Sequence, residues 1–371
     1  MILHFLDELQ SLWEPFGQLG SLAVRAGLAA VLAFVVALLI GPRLIRALQM
    51  KRYIEDQVHT ESETLNEINR QKQPTPTMGG LMIVLAVLVS GLMFGDLTNS
   101  YVMLAILSTL GYGFIGFIDD WIKLTHPGRK GLQAASKYAL QALVAGSLAF
   151  VITRIFQAQG LPELLGLHIP FTGGAWIDLS GMGGLPFMLL VMIVVTGTSN
   201  AVNLTDGMDG LAPGSLIVAA LAMAVLAVAV GRAESLELDL LYVPRSQEMT
   251  VFCTSMVGAT LGFLWFNAPP ALVYMGDTGS LPLGSLLGYV AVVLKLELAL
   301  FIIGGVFVWE ALSVILQVGT YKFTGGKRVF LCAPFHHHLQ FKGIPETRIV
   351  VRFWIMAVLC AAAGLASLAV D

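Results

Sequence analysis

Residues 22–41 read LAVRAGLAAVLAFVVALLIG, with Arg25 as the one charged residue. At 1.5 Å per residue, a helix of this length crosses the roughly 30 Å hydrocarbon core of a bilayer. Nine further stretches have the same character: 78–95, 101–118, 138–156, 186–202, 212–230, 250–268, 280–296, 298–318 and 350–369. The alternation of a membrane barrel is absent, so helices carry the spanning. The reading is an all-α polytopic integral membrane protein with about ten transmembrane helices. One integral membrane domain takes in residues 1–371. The eighth and ninth stretches nearly run together, and Lys295 and Glu297 mark the turn between them.

Composition agrees. The 371 residues are 56% hydrophobic and 12% charged, with mean hydropathy +0.79. A soluble domain has about 45–50% apolar and 25% charged residues. This excludes an ordinary soluble enzyme, a disordered chain and a secreted disulfide scaffold. The net charge of −3 gives no field for nucleic acid. Cys253, Cys332 and Cys360 lie far apart and read as small apolar fillers. Residues 1–20 carry Asp7, Glu8 and Glu14 without a basic segment, so they are not a signal peptide. Leu12, Trp13 and Phe16 there suit an interfacial helix.

Positive charge sets the orientation. Of the 21 Lys and Arg, only Arg25, Arg154, Arg232, Arg245 and Lys295 fall on the side opposite 42–77, 119–137, 203–211, 269–279 and 319–349. The basic side is therefore cytoplasmic, and an even number of spans leaves both termini periplasmic.

Polar residues collect at the cytoplasmic ends of the spans in five clusters. GFIDDWIK (116–123) closes the third span with Asp119, Asp120 and Lys123. Neighbours on a helix point about 100° apart, so one acid can face a reaction centre while the other holds a cation or a helix end. NLTDGMDGLA (203–212) places Asp206 and Asp209 one turn apart, beside two glycines. Asn267 and the MGDTGSL run (275–281) bring Asp277 into a short Gly-flanked loop. A carboxylate without a basic neighbour in sequence suits Mg²⁺, which takes one or two carboxylates plus substrate phosphates. GKRVF (326–330) precedes His336, His337 and His338, three consecutive histidines that cannot share one helix face. Lys72 and PTPTMGG (74–80) enter the second span extended. Each cluster alone also reads as a helix cap, a polar turn or a linker. Glu310, inside the ninth stretch, needs a partner that the sequence does not name. Together the clusters fit Mg²⁺-dependent transfer from a phosphorylated, water-soluble donor to a lipid acceptor, with the active site at the cytoplasmic face.

These motifs, with EALSVILQV (310–318) and APFHHH (333–338), occur in this order in one family. From Lys72 to Trp354 the chain resembles the bacterial phospho-N-acetylmuramoyl-pentapeptide transferases, of the polyprenyl-phosphate N-acetylhexosamine-1-phosphate transferase superfamily. The resemblance implies transfer of phospho-MurNAc-pentapeptide from UDP-MurNAc-pentapeptide to undecaprenyl phosphate, giving lipid I and UMP in peptidoglycan synthesis. It implies Mg²⁺, a multi-pass location in the bacterial cytoplasmic (inner) membrane, and a homodimer. By resemblance, Asp277 matches the metal ligand, Asp119 the carboxylate at the lipid phosphate and Asp120 its essential neighbour. Lys123 and Lys137 match basic residues of the active-site loop, and His336, His337 and His338 match the histidine motif. Lys72, Asn203, Asp206, Asp209, Asn267 and Tyr274 match positions around the nucleoside and sugar, with Thr77 and Gly276 as nearby contacts. The chain departs from the family at Gln340, where an acid is common, and at Tyr274, where Phe is common. A relative using UDP-GlcNAc shares the mechanism. An ion- or lipid-coupled transporter is the reading of another class, and it predicts neither UMP nor Mg²⁺ dependence. Polar residues at one face instead of mid-membrane, and no visible internal repeat, weigh against it.

Overall fold

A computed structural model describes residues 20–50, 75–126, 131–170, 172, 176–232 and 241–367. Its helices are α1 (Leu22–Met50), α2 (Gly80–Phe94), α3 (Ser100–Thr125), α4 (Ala134–Gln159), α5 (Gly181–Thr205), α6 (Leu211–Val230), α7 (Met249–Asn267), α8 (Asp277–Val293), α9 (Glu297–Ile303), α10 (Gly305–Phe323), α11 (Phe335–Phe341) and α12 (Glu346–Ala366). Each apolar stretch of the sequence falls on one of these helices or on the α9–α10 pair.

Among the described residues, seven helices are long and apolar enough to cross a membrane, or eight with the α9–α10 pair counted as one. The chain is thus a multi-pass helical membrane protein. α2, at 15 residues, and α8, at 17, are shorter than these seven. One sequence expectation is corrected. The stretch 298–318 is not one straight span, because α9 and α10 meet at 87° across Gly304. The all-α class holds, with one small addition. Gly166–His168 (β1) pairs antiparallel with Trp176–Asp178 (β2) in a small hairpin between α4 and α5, too short to alter the class.

α8 is the centre of the bundle. All of its residues are buried, as expected of a helix that is hydrophobic on every side. α3 and α5 flank it along its length. The outer helices show the opposite character. On α1 the spanning window is 28% buried, against 72% on the segment containing α7. The exposed side chains of the outer helices are large and apolar, such as Leu39, Leu143 and Ile193, which is the surface that lipid solvates.

Lipid removes the hydrophobic drive between helices, so close backbone packing and polar pairs hold them. α1 presents Ala29, Ala33, Ala37 and Gly41, spaced by one turn, to α7. A Cβ on Gly258 would run into the backbone of Ala30. At one end of this contact Arg25 binds Glu248 through two bonds of 2.9 and 2.5 Å and donates to the Phe94 carbonyl at 2.8 Å. Asp96 N donates to the same carboxylate at 3.1 Å. The charge in the first span is therefore paired and bidentate.

Between α8 and α9, Lys295 has φ 58° and its ammonium lies 2.6 Å from the Glu297 carboxylate and 4.3 Å from the Phe187 ring centroid. The turn expected at these two residues is thus a buried ion pair.

Candidate active site

Three helix ends meet at one end of the bundle. The C-terminal turns of α3 bring Asp119, Asp120 and Lys123; the first turn of α4 brings Lys137; and α8 begins at Asp277. Close approach is possible because Gly116 lacks a side chain: a Cβ there would collide with the backbone of Asp277. Oxygens of Asp119, Asp120 and Asp277 lie within 4.8 Å of one another, and all three residues are buried.

Two adjacent acids on α3 have different surroundings. Asp120 caps α8. Its Oδ1 accepts from the Asp277 amide at 3.2 Å, and its Oδ2 accepts from the Thr278 amide at 2.9 Å and hydroxyl at 2.7 Å. A carboxylate at a helix N-terminus satisfies orphan amides and complements the dipole. Asp119 instead accepts from the Leu132 amide at 3.0 Å and pairs with Lys123 at 2.8 Å.

Asp277 is held from two sides. Asn203 Nδ2 donates to its Oδ1 at 2.7 Å, and Lys137 Nζ donates to its Oδ2. Lys123 stands 3.5 Å from that second oxygen. Two ammonium groups thus lie among three carboxylates, which offsets the like-charge repulsion of packing them together.

A cavity of about 210 Å³ opens on this cluster. Asp120, Lys123, Asn203, Asp206, Asp209, Asn267, Tyr274, Gly276 and Asp277 all line it. Thr77 lies behind it, where a Cβ on Gly276 would meet the Thr77 hydroxyl at 2.9 Å. The 76–80 segment runs alongside 274–275: Tyr274 N donates to Pro76 O, Gly79 N to Tyr274 O and Gly80 N to Met275 O, each at 2.8 Å. Lys72 lies outside the described residues.

Two of these lining residues also build the wall. Asn267, 2% exposed, accepts from the Gly210 amide and donates to the Val273 carbonyl, each at 2.9 Å. Asp209 accepts from the Ala271 amide at 3.0 Å.

The histidines diverge. His336 is fully buried and gives both its backbone amide and Nδ1 to Glu310, at 3.1 and 3.0 Å. Its Nε2 is buried, has no hydrogen-bond partner and faces Gly207 so closely that a Cβ there would collide with it. His337 Nδ1 lies 3.1 Å from the Gln340 side-chain oxygen. His338 Nδ1 accepts from the Leu331 amide at 3.1 Å, and its ring stacks on Phe335. Loss of water around the ring, then Lys342, holds the His338 imidazole below its ordinary value. His336 thus reaches the 203–210 turn of the cavity, whereas the His338 ring packs among Phe330 and Phe335.

Residues 101–295 match the family model described as Glycosyl transferase family 4. The chain is 43% identical over 372 residues to the phospho-N-acetylmuramoyl-pentapeptide-transferase of Desulfatibacillum aliphaticivorans, covering 99% of both chains. It is 44% identical over 374 residues, with the same coverage, to the enzyme of that name from Maridesulfovibrio salexigens. The chain belongs to this transferase family.

The cluster is chemically suited to the divalent cation expected for such a transferase. Three carboxylates supply hard oxygen donors, the ligand type that Mg²⁺ takes. Several supporting residues had no sequence signal as site residues. Thr278 and Leu132 act on the acids through backbone amides. Glu346 accepts from the Asp209 amide at 3.0 Å across 137 residues. Gln317 accepts from the amides of Val329 and Phe330 at 3.0 and 2.9 Å, fixing the GKRVF turn. Glu310, for which the sequence names no partner, pairs with His336.

Proposed function

We propose that the chain transfers phospho-MurNAc-pentapeptide from UDP-MurNAc-pentapeptide to undecaprenyl phosphate, releasing UMP and making lipid I for peptidoglycan synthesis. The observation that carries this reading is the buried Asp119–Asp120–Asp277 cluster, of which Asp120 and Asp277 line a polar cavity, in a chain matched end to end by named transferases. We count ten spans, with α2, α8 and the bent α9–α10 pair included, and the excess of Lys and Arg on the cluster's side supports a cytoplasmic-facing site in the bacterial inner membrane. Both termini then lie in the periplasm, and the enzyme works as a homodimer.

Phosphoryl transfer needs positioning and charge neutralisation more than covalent chemistry from the protein. Mg²⁺ held by Asp277, with Asp119 beside it, would neutralise diphosphate charge. Lys123 and Lys137 supply cationic donors beside the reacting phosphates. Asn203 fixes Asp277 by donating to one of its oxygens. Asp120 holds α8 in place, which leaves Asp119 to orient the lipid phosphate or take its residual proton. A phosphate monoester has its second pKa near 6, so a strong base is not required. Tyr274 offers an aromatic face to uracil. Attack by the lipid phosphate is direct, without a phospho-enzyme.

Purified protein with undecaprenyl phosphate and Mg²⁺ releases UMP from UDP-MurNAc-pentapeptide and not from UDP-GlcNAc, and EDTA stops the release. UMP from UDP-GlcNAc alone would move the chain to the sister specificity. No release from either, by folded protein, would overturn the enzyme reading.

A further inference from the structure

Beneath the carboxylate cluster lies a second layer of polar side chains within the spans, half-buried at Thr196 and Asn200 and fully buried at Tyr112 and Gln141. Asn200 Nδ2 on α5 donates to Gln141 Oε1 on α4 at 2.8 Å and to the Thr196 carbonyl at 2.8 Å. Gln141 Nε2 returns toward Asn200 Oδ1 at 3.5 Å. Tyr112 on α3 donates its hydroxyl to the Gln141 carbonyl at 3.2 Å and lies 3.0 Å from the Thr196 hydroxyl.

Every member sits in helical phase with a residue of the reacting layer. Gln141 is four residues from Lys137, Asn200 three from Asn203, and Tyr112 seven from Asp119. Separations of three, four and seven residues keep side chains on one helix face. The three helices that carry this layer therefore carry Lys137, Asn203 and Asp119 directly above it, about 5–10 Å away at 1.5 Å per residue.

At its far end α4 is tied by Gln157, which donates to the Gly183 carbonyl at 3.0 Å, and by Gln159, which donates to the Tyr101 hydroxyl of α3 at 2.7 Å; the interface nearer the cluster offers less to fix its height. Its other buried residues are Ala145, Leu148, Ala149, Ile152, Thr153 and Phe156, and the Thr153 hydroxyl bonds its own helix at the Ala149 carbonyl. An apolar contact in lipid gains little from one register over another. Gln141 is the fully buried α4 side chain that hydrogen-bonds a neighbouring helix next to the cluster, and Lys137 must reach Asp277 from one turn above it.

We infer that Gln141, Asn200 and Tyr112 are positioning residues for the transfer: they lock α3, α4 and α5 at the register in which Lys137 and Asn203 both meet Asp277. The inference rests on the reading of Asp277 as part of the reaction centre.

The test replaces Gln141 and Asn200 together by leucine, because removing both partners of a hydrogen-bonded pair leaves neither unsatisfied. The double variant keeps the wild-type melting temperature in detergent. Its kcat falls about tenfold or more, while KM for both substrates stays within about twofold. Its half-saturating Mg²⁺ concentration rises, since both residues that hold Asp277 are displaced. The exchanged pair, Gln141→Asn with Asn200→Gln, recovers most of the lost kcat. Wild-type kcat in the leucine pair, or an exchanged pair no better than leucine, overturns the inference. If the leucine pair does not fold, Tyr112→Phe decides: it removes one oxygen and lowers kcat about threefold, and an unchanged kcat overturns the inference. Asp277→Asn is measured alongside. An active Asp277→Asn would instead show that the reading of the reaction centre itself has failed.

Discussion

Glu310 accepts two hydrogen bonds from His336, one from the ring and one from the backbone, and both residues are fully buried. This pairing fixes the ring on Nδ1 and aims Nε2 at Gly207, in the turn that lines the cavity. An orienting carboxylate behind an imidazole is a common device for presenting its other nitrogen. A hydrogen bond to a charged group contributes about 1.5–3 kcal/mol. If that energy holds the ring in its working position, Glu310→Ala lowers kcat about 10- to 100-fold. Glu310→Gln keeps an acceptor oxygen and retains more activity than Ala. Equal, near-normal turnover in both variants would show that the ring orientation is irrelevant.

Asp277→Asn should nearly abolish UMP release and flatten its Mg²⁺ dependence, while the protein stays folded and soluble in detergent. The amide is isosteric but lacks the charge that Lys137 and Lys123 face. A Mg²⁺ titration of turnover checks this, and near-normal activity would refute the metal assignment.

Asp119 and Asp120 should separate by stability. Asp120→Ala strips three hydrogen bonds from the start of α8, so it loses both activity and melting temperature. The expected destabilisation is about 1–3 kcal/mol. Asp119→Ala removes one like charge from a crowded cluster, so it loses activity with little change in melting temperature. Thermal unfolding of the two variants side by side is the measurement, and an inverted order would contradict the capping role.

Two glycines on α3 make a matched pair. Gly116→Ala drives a methyl group into the backbone of Asp277, whereas the nearest atom to a Cβ at Gly113 is 3.6 Å away. Overpacking of this kind costs about 1–3 kcal/mol. Gly116→Ala should therefore lose activity and stability, and Gly113→Ala should resemble wild type. Equal behaviour of the two would mean that α3 and α8 have slack at their contact.

His338 accepts the Leu331 amide on Nδ1, which requires the neutral ring. Its folded-state value is held below the ordinary 6.5, so the unfolded chain binds the proton more readily. The bond's stabilisation is thus present above pH 6.5 and is lost as pH falls below it through the folded value. Amide exchange at Leu331, corrected for intrinsic rate, should quicken across that window. No change there would remove the bond from the account.

The sequence carried the helices because length and apolarity are local properties. Asp119, Asp120, Asp277 and Asn203 were legible because buried polar residues at the ends of apolar helices are costly without a purpose. The difference between Asp119 and Asp120 was not legible, since it depends on where the amides of Asp277 and Thr278 point. Nor was the link from Asp209 to Glu346, which spans 137 residues. The right-angled break at Gly304 was also hidden, because two adjacent glycines in an apolar run permit a bend without requiring one. At Gln340 the departure from the family's acid has a visible consequence: its amide oxygen still faces His337.

The clasp between Arg25 and Glu248 joins residues 223 apart in the chain. α1 therefore carries a guanidinium whose partner is translated only after five further described helices, α2 to α6, have been made. Until then Arg25 must be solvated at the bilayer surface or by the insertion machinery. A chain that stops before Glu248 keeps the Phe94 carbonyl as an acceptor but has no carboxylate to neutralise Arg25.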